Sequence, residues 1–136
     1  MAAVSANPAT ARRVLVVEDD AAVGQVMADI LAPLGLQVVT ARSDRAAYDM
    51  LPTLPAFSAL LVDVNLGSGT TGFDVARFAR QVLPDVAVVY VTGQASPDSF
   101  KAFGVPDSGF VAKPFTAESL VEALRSRLPA NDWGEA

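Results

Sequence analysis

Five short runs of β-branched and aliphatic residues alternate with stretches of helical character along this chain. No other feature constrains its fold as tightly. The runs Val14–Val17, Gln37–Thr40, Ala59–Val62, Val86–Val91 and Gly109–Ala112 read as strands. Between the first two, Ala21–Leu34 sets Val23, Val26, Met27, Ile30, Leu31 and Leu34 at helical spacing before Gly35 stops the helix. Further helices fit Ser43–Leu51 and Thr116–Leu128, each opening on an N-cap hydroxyl, and Phe73–Leu83, which ends before Pro84. A shorter one begins at Ser96 with Pro97 in its first position; Gly104, Pro106 and Gly109 leave it room for about two turns.

Strict strand–helix alternation predicts an α/β fold, a doubly wound parallel sheet with helices on both faces, because parallel strands need crossover connections. Near-continuous apolar strands such as Val86–Val91 agree, since a sheet covered on both faces has no polar side. The apolar body is expected over residues 12–128 as one domain, between small, polar terminal pieces at 1–11 and 129–136 that read as flexible tails. In such sheets ligands bind at the carboxyl ends of the strands, where strand order reverses. There the first strand delivers Glu18, Asp19 and Asp20, the third Asp63, the fourth Thr92, and the fifth Lys113 followed by Pro114.

Each of these residues has an ordinary structural reading: an acidic loop serves a helix N-terminus, a threonine caps a turn, a lysine offsets surplus charge. Acid, acid, hydroxyl and ammonium from four separate strands at one edge are harder to reach by chance. Crowded carboxylates repel one another, and a divalent cation relieves that repulsion. With no Cys and no His in the chain, its ligands must be oxygens, and Mg²⁺ suits such a shell best.

This arrangement closely resembles the receiver domain of two-component response regulators over Val14–Leu128. The matching motifs are Val-Val-Glu18-Asp19-Asp20, Leu-Val-Asp63-Val-Asn65-Leu, Val-Thr92-Gly93 and Phe-Val-Ala-Lys113-Pro114-Phe115, with Phe110 at the family's switch aromatic. The resemblance implies a flavodoxin-like, five-stranded sheet of order 2-1-3-4-5. By the same resemblance Asp63 accepts a phosphoryl group, Thr92 and Lys113 grip its oxygens, and Glu18, Asp19, Asp63 and the backbone carbonyl of Asn65 hold Mg²⁺. It also implies a cis Lys113–Pro114 bond, and a donor that is a phosphohistidine on a histidine kinase or histidine phosphotransfer protein. The chain departs from the family's pattern at Glu18, where many members have Asp, in the loop Asn65–Gly72, which lacks Met-Pro, and in its short fourth helix.

Two other chemistries fit less well. A phosphatase of the haloacid dehalogenase type places its nucleophile in an Asp-x-Asp motif on the first strand, whereas here the lone aspartate comes third. A nucleotide-binding module needs a glycine-rich loop after the first strand, where this chain has acids. A degenerate receiver that only binds protein is the non-catalytic alternative, yet every chemical position is filled. The net charge of −5 disfavours direct DNA binding, and no apolar run is long enough to insert in a membrane. The expectation is therefore a stand-alone cytoplasmic regulator, not an enzyme acting on other substrates, that passes its signal to a downstream protein.

Overall fold

The computed structural model describes residues 12–67, 71–93 and 97–128. The proposed tails at 1–11 and 129–136, and Ser96 at the start of the fourth helix, lie outside the described residues. Strands β1 (Arg13–Val17), β2 (Gln37–Ala41), β3 (Phe57–Val62), β4 (Ala87–Thr92) and β5 (Ser108–Ala112) form one parallel sheet in the order β2-β1-β3-β4-β5. Order reverses between β1 and β3, so the crevice at their carboxyl ends is the place where ligands bind in such sheets.

Alternation along the strands sends side chains to two separate cores. Leu15, Val17, Leu60, Val62, Val88 and Tyr90 face one side, where they meet α2 (Asp44–Met50) and α3 (Gly72–Val82) through Ala47, Val75, Ala76 and Ala79. Val14, Val16, Leu61, Val89, Val91 and Val111 face the other, against Met27 and Leu31 of α1 (Ala21–Leu31) and Leu120 and Leu124 of α5 (Ala117–Arg125). Each fully buried aliphatic side chain contributes about 1.5–3 kcal/mol. Two such layers hold the strand ends, and the charged residues that follow them, in fixed register.

Helix boundaries follow local chemistry. Ser43 caps α2, its hydroxyl accepting from the Ala46 amide, and Thr116 caps α5 in a reciprocal box with Ser119. The first helix stops sooner than its apolar spacing predicts. Pro33 has no amide to donate, so 32–34 tightens into a 3-10 turn, and Gly35 (φ 88°) ends it with its own amide on Ala32 O. The fourth helix, α4 (Pro97–Phe103), is seven residues long, as the breakers after it require. No helix among the described residues is long and apolar enough to cross a membrane.

Candidate functional site

Sheet hydrogen bonding continues past the strands into the acidic edge. The Glu18 amide donates to Ala41 O at 3.0 Å and the Asp63 amide to Val17 O at 3.0 Å. The Lys113 amide donates to Thr92 O at 3.2 Å, across a cis Lys113–Pro114 bond from Pro114. The backbones that carry the charged groups are thus tied to the sheet through their amides.

Of the three acids after β1, one is spent on structure. Asp20 caps α1, with Oδ1 accepting from the amides of Ala22 (2.9 Å) and Val23 (3.2 Å). Glu18 and Asp19 remain. Together with Asp63 they bring one carboxylate oxygen each to within 4.8 Å of one another, with Asp19 exposed and the other two buried. Lys113 enters from β5, its Nζ 2.6 Å from Glu18 Oε1 and 2.8 Å from Asp63 Oδ2. Three carboxylates against one ammonium leave an excess of negative charge. A hard cation with oxygen ligands fits that donor set, and the exposed side at Asp19 leaves room for its waters.

The electrostatics of the ion pair differ on its two sides. Burial pushes the Glu18 carboxyl above its ordinary value, even though Lys113 and the Asp20 amide, at 3.2 Å from Oε2, pull it down. Burial alone would lower Lys113, but its bonds to Asp63 and Glu18 outweigh that and hold the ammonium above its ordinary value. The difference lies in solvation: Glu18 is 3% exposed, whereas the Lys113 side chain is 24% exposed and loses less on entering the site.

The loop after Asp63 is shaped by two glycines and a cap. Asp63 Oδ1 accepts from the Asn65 amide at 2.9 Å, and Asn65 Oδ1 accepts from Gly67 at 3.2 Å. Gly67 (φ 84°) turns the chain beside Asp19, where a Cβ would lie 3.5 Å from Oδ2. Gly72 packs its backbone directly on the strand end: a Cβ there would fall 2.1 Å from Asp63 O, and its amide donates to Val64 O at 2.8 Å. Neither Gly72 nor the cap formed by Asp20 stands out in the sequence as a site feature, because both act through backbone contacts.

Thr92 ends β4, buried, two residues beyond the pairing of Tyr90 with Val62, while Asp63 stands one residue beyond it on the neighbouring strand. Asn65 lies exposed on the loop that follows Asp63. Phe110 is half-buried on β5 with its ring 5.5 Å from that of Phe100 in α4. A cavity of about 370 Å³ lies at the opposite edge of the sheet, bordered by Arg12, Phe57, Asp85 and Arg127. We assign function to the acidic edge, because three carboxylates and an ammonium converge there at the carboxyl ends of the strands, where ligands bind in such sheets.

The response regulator receiver domain model matches residues 14–125. The chain belongs to this family, a regulatory domain of two-component signalling. It is 31% identical to the response regulator receiver protein CpdR of Brucella abortus over 124 residues, covering 88% of this chain and 98% of CpdR. A receiver protein of Sinorhizobium medicae superposes with a TM-score of 0.81 at 30% identity, covering 89% of this chain and 95% of the other. A Burkholderia pseudomallei response regulator, solved with a phosphorylated aspartic acid, a calcium ion and citrate, matches at a TM-score of 0.74 and 26% identity, over 89% of this chain and 69% of that one. Some relatives are longer, and the chain spans 52% and 24% of two of them.

Proposed function

We propose that this receiver takes a phosphoryl group onto Asp63 from the phosphohistidine of a histidine kinase or histidine phosphotransfer protein, and signals by binding another protein. The observation that carries the reading is the Lys113 ammonium, within hydrogen-bond distance of both Glu18 and Asp63 where three carboxylates converge. The Burkholderia structure supports it, since that similar protein carries a phosphorylated aspartic acid and a calcium ion.

A carboxylate oxygen of Asp63 attacks phosphorus, and the bond from phosphorus to the imidazole nitrogen breaks. The electron pair leaves with that nitrogen, and the donor histidine, protonated on its other ring nitrogen, ends as neutral imidazole. No protein base is needed. Lys113, already on Asp63 Oδ2, stays with the negative charge as it spreads over the phosphoryl oxygens, and the Thr92 hydroxyl donates to one of them. The Asn65 amide on Oδ1 fixes the orientation of the carboxylate before attack. Glu18, Asp19, Asp63 and the Asn65 carbonyl would hold Mg²⁺, which when bound supplies neutralising charge to the carboxylates and the phosphoryl group. A net charge of −5 favours a protein over DNA as the downstream target.

Acetyl phosphate and Mg²⁺ serve as a surrogate donor, with intact mass as the readout. Wild type is expected to gain one phosphoryl group and Asp63→Asn none; equal gain in both rejects Asp63 as acceptor, and no gain in either favours a receiver that only binds protein.

A further inference from the structure

Behind the acidic edge, a chain of aromatic rings crosses the molecule. Phe73, next to the glycine packed on Asp63 O, lies 5.1 Å from Tyr90 in β4. Tyr90 meets Phe100 of α4 at 5.6 Å, and Phe100 meets Phe110 of β5 at 5.5 Å. Phe73 also touches Phe103, at 5.8 Å, whose exposed edge forms part of the α4 surface. Tyr90 is at the centre: fully buried, with its hydroxyl oxygen accepting from the Val105 amide at 3.1 Å.

Val105 begins the turn between α4 and β5, and that turn is held from several directions. Arg80 of α3 donates through Nε to Val86 O at 2.8 Å and through its terminal nitrogens to Pro106 O at 2.6 Å and Asp107 O at 3.4 Å. Ser108 Oγ donates to Val105 O at 2.7 Å. The turn's glycine and proline suggest looseness in sequence, yet its carbonyls are tied to α3 and its first amide to β4.

We infer that Tyr90 is a positioning residue that couples the acidic pocket to α4 and β5, its ring bearing on Phe73 behind Asp63 and its hydroxyl anchoring the turn at Val105. The inference rests on the reading of Asp63 as the phosphoryl acceptor. A shift of the Asp63 loop moves Gly72, because the two backbones are in contact, and Phe73 moves with it. Since close-packed rings cannot absorb such a displacement, Tyr90 transmits it to Phe100. With the turn clamped by Arg80 and Tyr90, α4 and Phe110 respond together about a fixed end. This route runs through the ring core and is separate from the Thr92 hydroxyl.

The test uses Tyr90→Phe, which keeps the ring and removes the bond to Val105, and Phe100→Leu, which interrupts the ring chain. In the unliganded protein Tyr90→Phe is expected to speed hydrogen exchange of the Val105 amide about tenfold or more, the loss of one buried hydrogen bond. Amide shifts are then followed on adding Mg²⁺ with the phosphate mimic beryllofluoride. In wild type, residues near Asp63 and those at Val105 and Phe110 should all respond; in both variants the Asp63 response should persist while that at Phe110 falls by at least about half. Undiminished Phe110 responses in the variants, or unchanged Val105 exchange, would overturn the coupling alone. A wild type whose pocket amides ignore beryllofluoride would overturn the acceptor reading and the coupling with it.

Discussion

Lys113 is where the two halves of the site's electrostatics meet. Its ammonium bonds two buried carboxylates, so removing it leaves Glu18 and Asp63 facing each other without a counter-charge. Without metal at neutral pH, Lys113→Ala is expected to lower unfolding free energy by about 2–4 kcal/mol, toward the lower end for a broken buried pair because the lysine head reaches water. Urea titration in a chelator measures it. The folded state holds Lys113 above its ordinary 10.5, so its contribution is fully present below that pH and is lost only as pH rises through the higher folded value. A variant as stable as wild type at neutral pH would show that the ion pair adds nothing. Glu18, Asp63, Thr92 and Lys113 stand out in sequence because each follows directly on an apolar run, and Asp19 because it adjoins Glu18. The separate task of Asp20 is not, since three adjacent acids look alike until one is seen bonded to the amides of Ala22 and Val23.

At the scale of elements, α3 links the pocket to the rest of the molecule through its first turn. Thr71 and Asp74 cap it reciprocally, and hydrogen bonding from the Thr71 amide, with the nearby Arg77, holds the Asp74 carboxyl below its ordinary 3.8. Thr71→Ala is expected to cost about 1 kcal/mol. A depressed folded pKa makes the contribution of Asp74 present above 3.8 and lost as pH falls through the lower folded value, so wild type and Asp74→Asn should differ at neutral pH and converge in strong acid. Equal unfolding midpoints at neutral pH would contradict this. The periodic spacing of α1 and α5 makes those helices plain in sequence, whereas the start of α3 is obscured because Gly72 looks like loop until its contact with Asp63 O is known. The turn at 104–109 is hidden for a related reason. Its anchors Arg80 and Tyr90 lie 26 and 15 residues from the groups they bind, beyond any local pattern.

Across the whole molecule, topology turns residues far apart in sequence into one pocket. Sheet order β2-β1-β3-β4-β5 sets Glu18 and Asp63 on adjacent strands, and Lys113, fifty residues from Asp63 in sequence, closes the site from β5. Strand–helix alternation makes the parallel sheet with helices on both faces readable before any coordinates, whereas the order of its strands is implied only by the resemblance to receiver domains. If the converging carboxylates are a metal site, the native state alone should bind Mg²⁺. Saturating Mg²⁺ is then expected to raise the melting temperature by about 5 °C or more through mass action. Asp19→Ala should melt higher than wild type in chelator, having lost a repelling charge, and should respond little to the ion. An unchanged response would remove Asp19 from the ligand set.

That Asp63 takes the phosphoryl group is best tested by locating the modification. An acyl phosphate formed with acetyl phosphate and Mg²⁺ is reduced by borohydride to an alcohol, which converts the modified aspartate to homoserine and marks it for peptide mass mapping. Homoserine at position 63 alone, formed only with Mg²⁺, is the expected result; homoserine at Asp19 or Asp20, or equal yield without Mg²⁺, would contradict it.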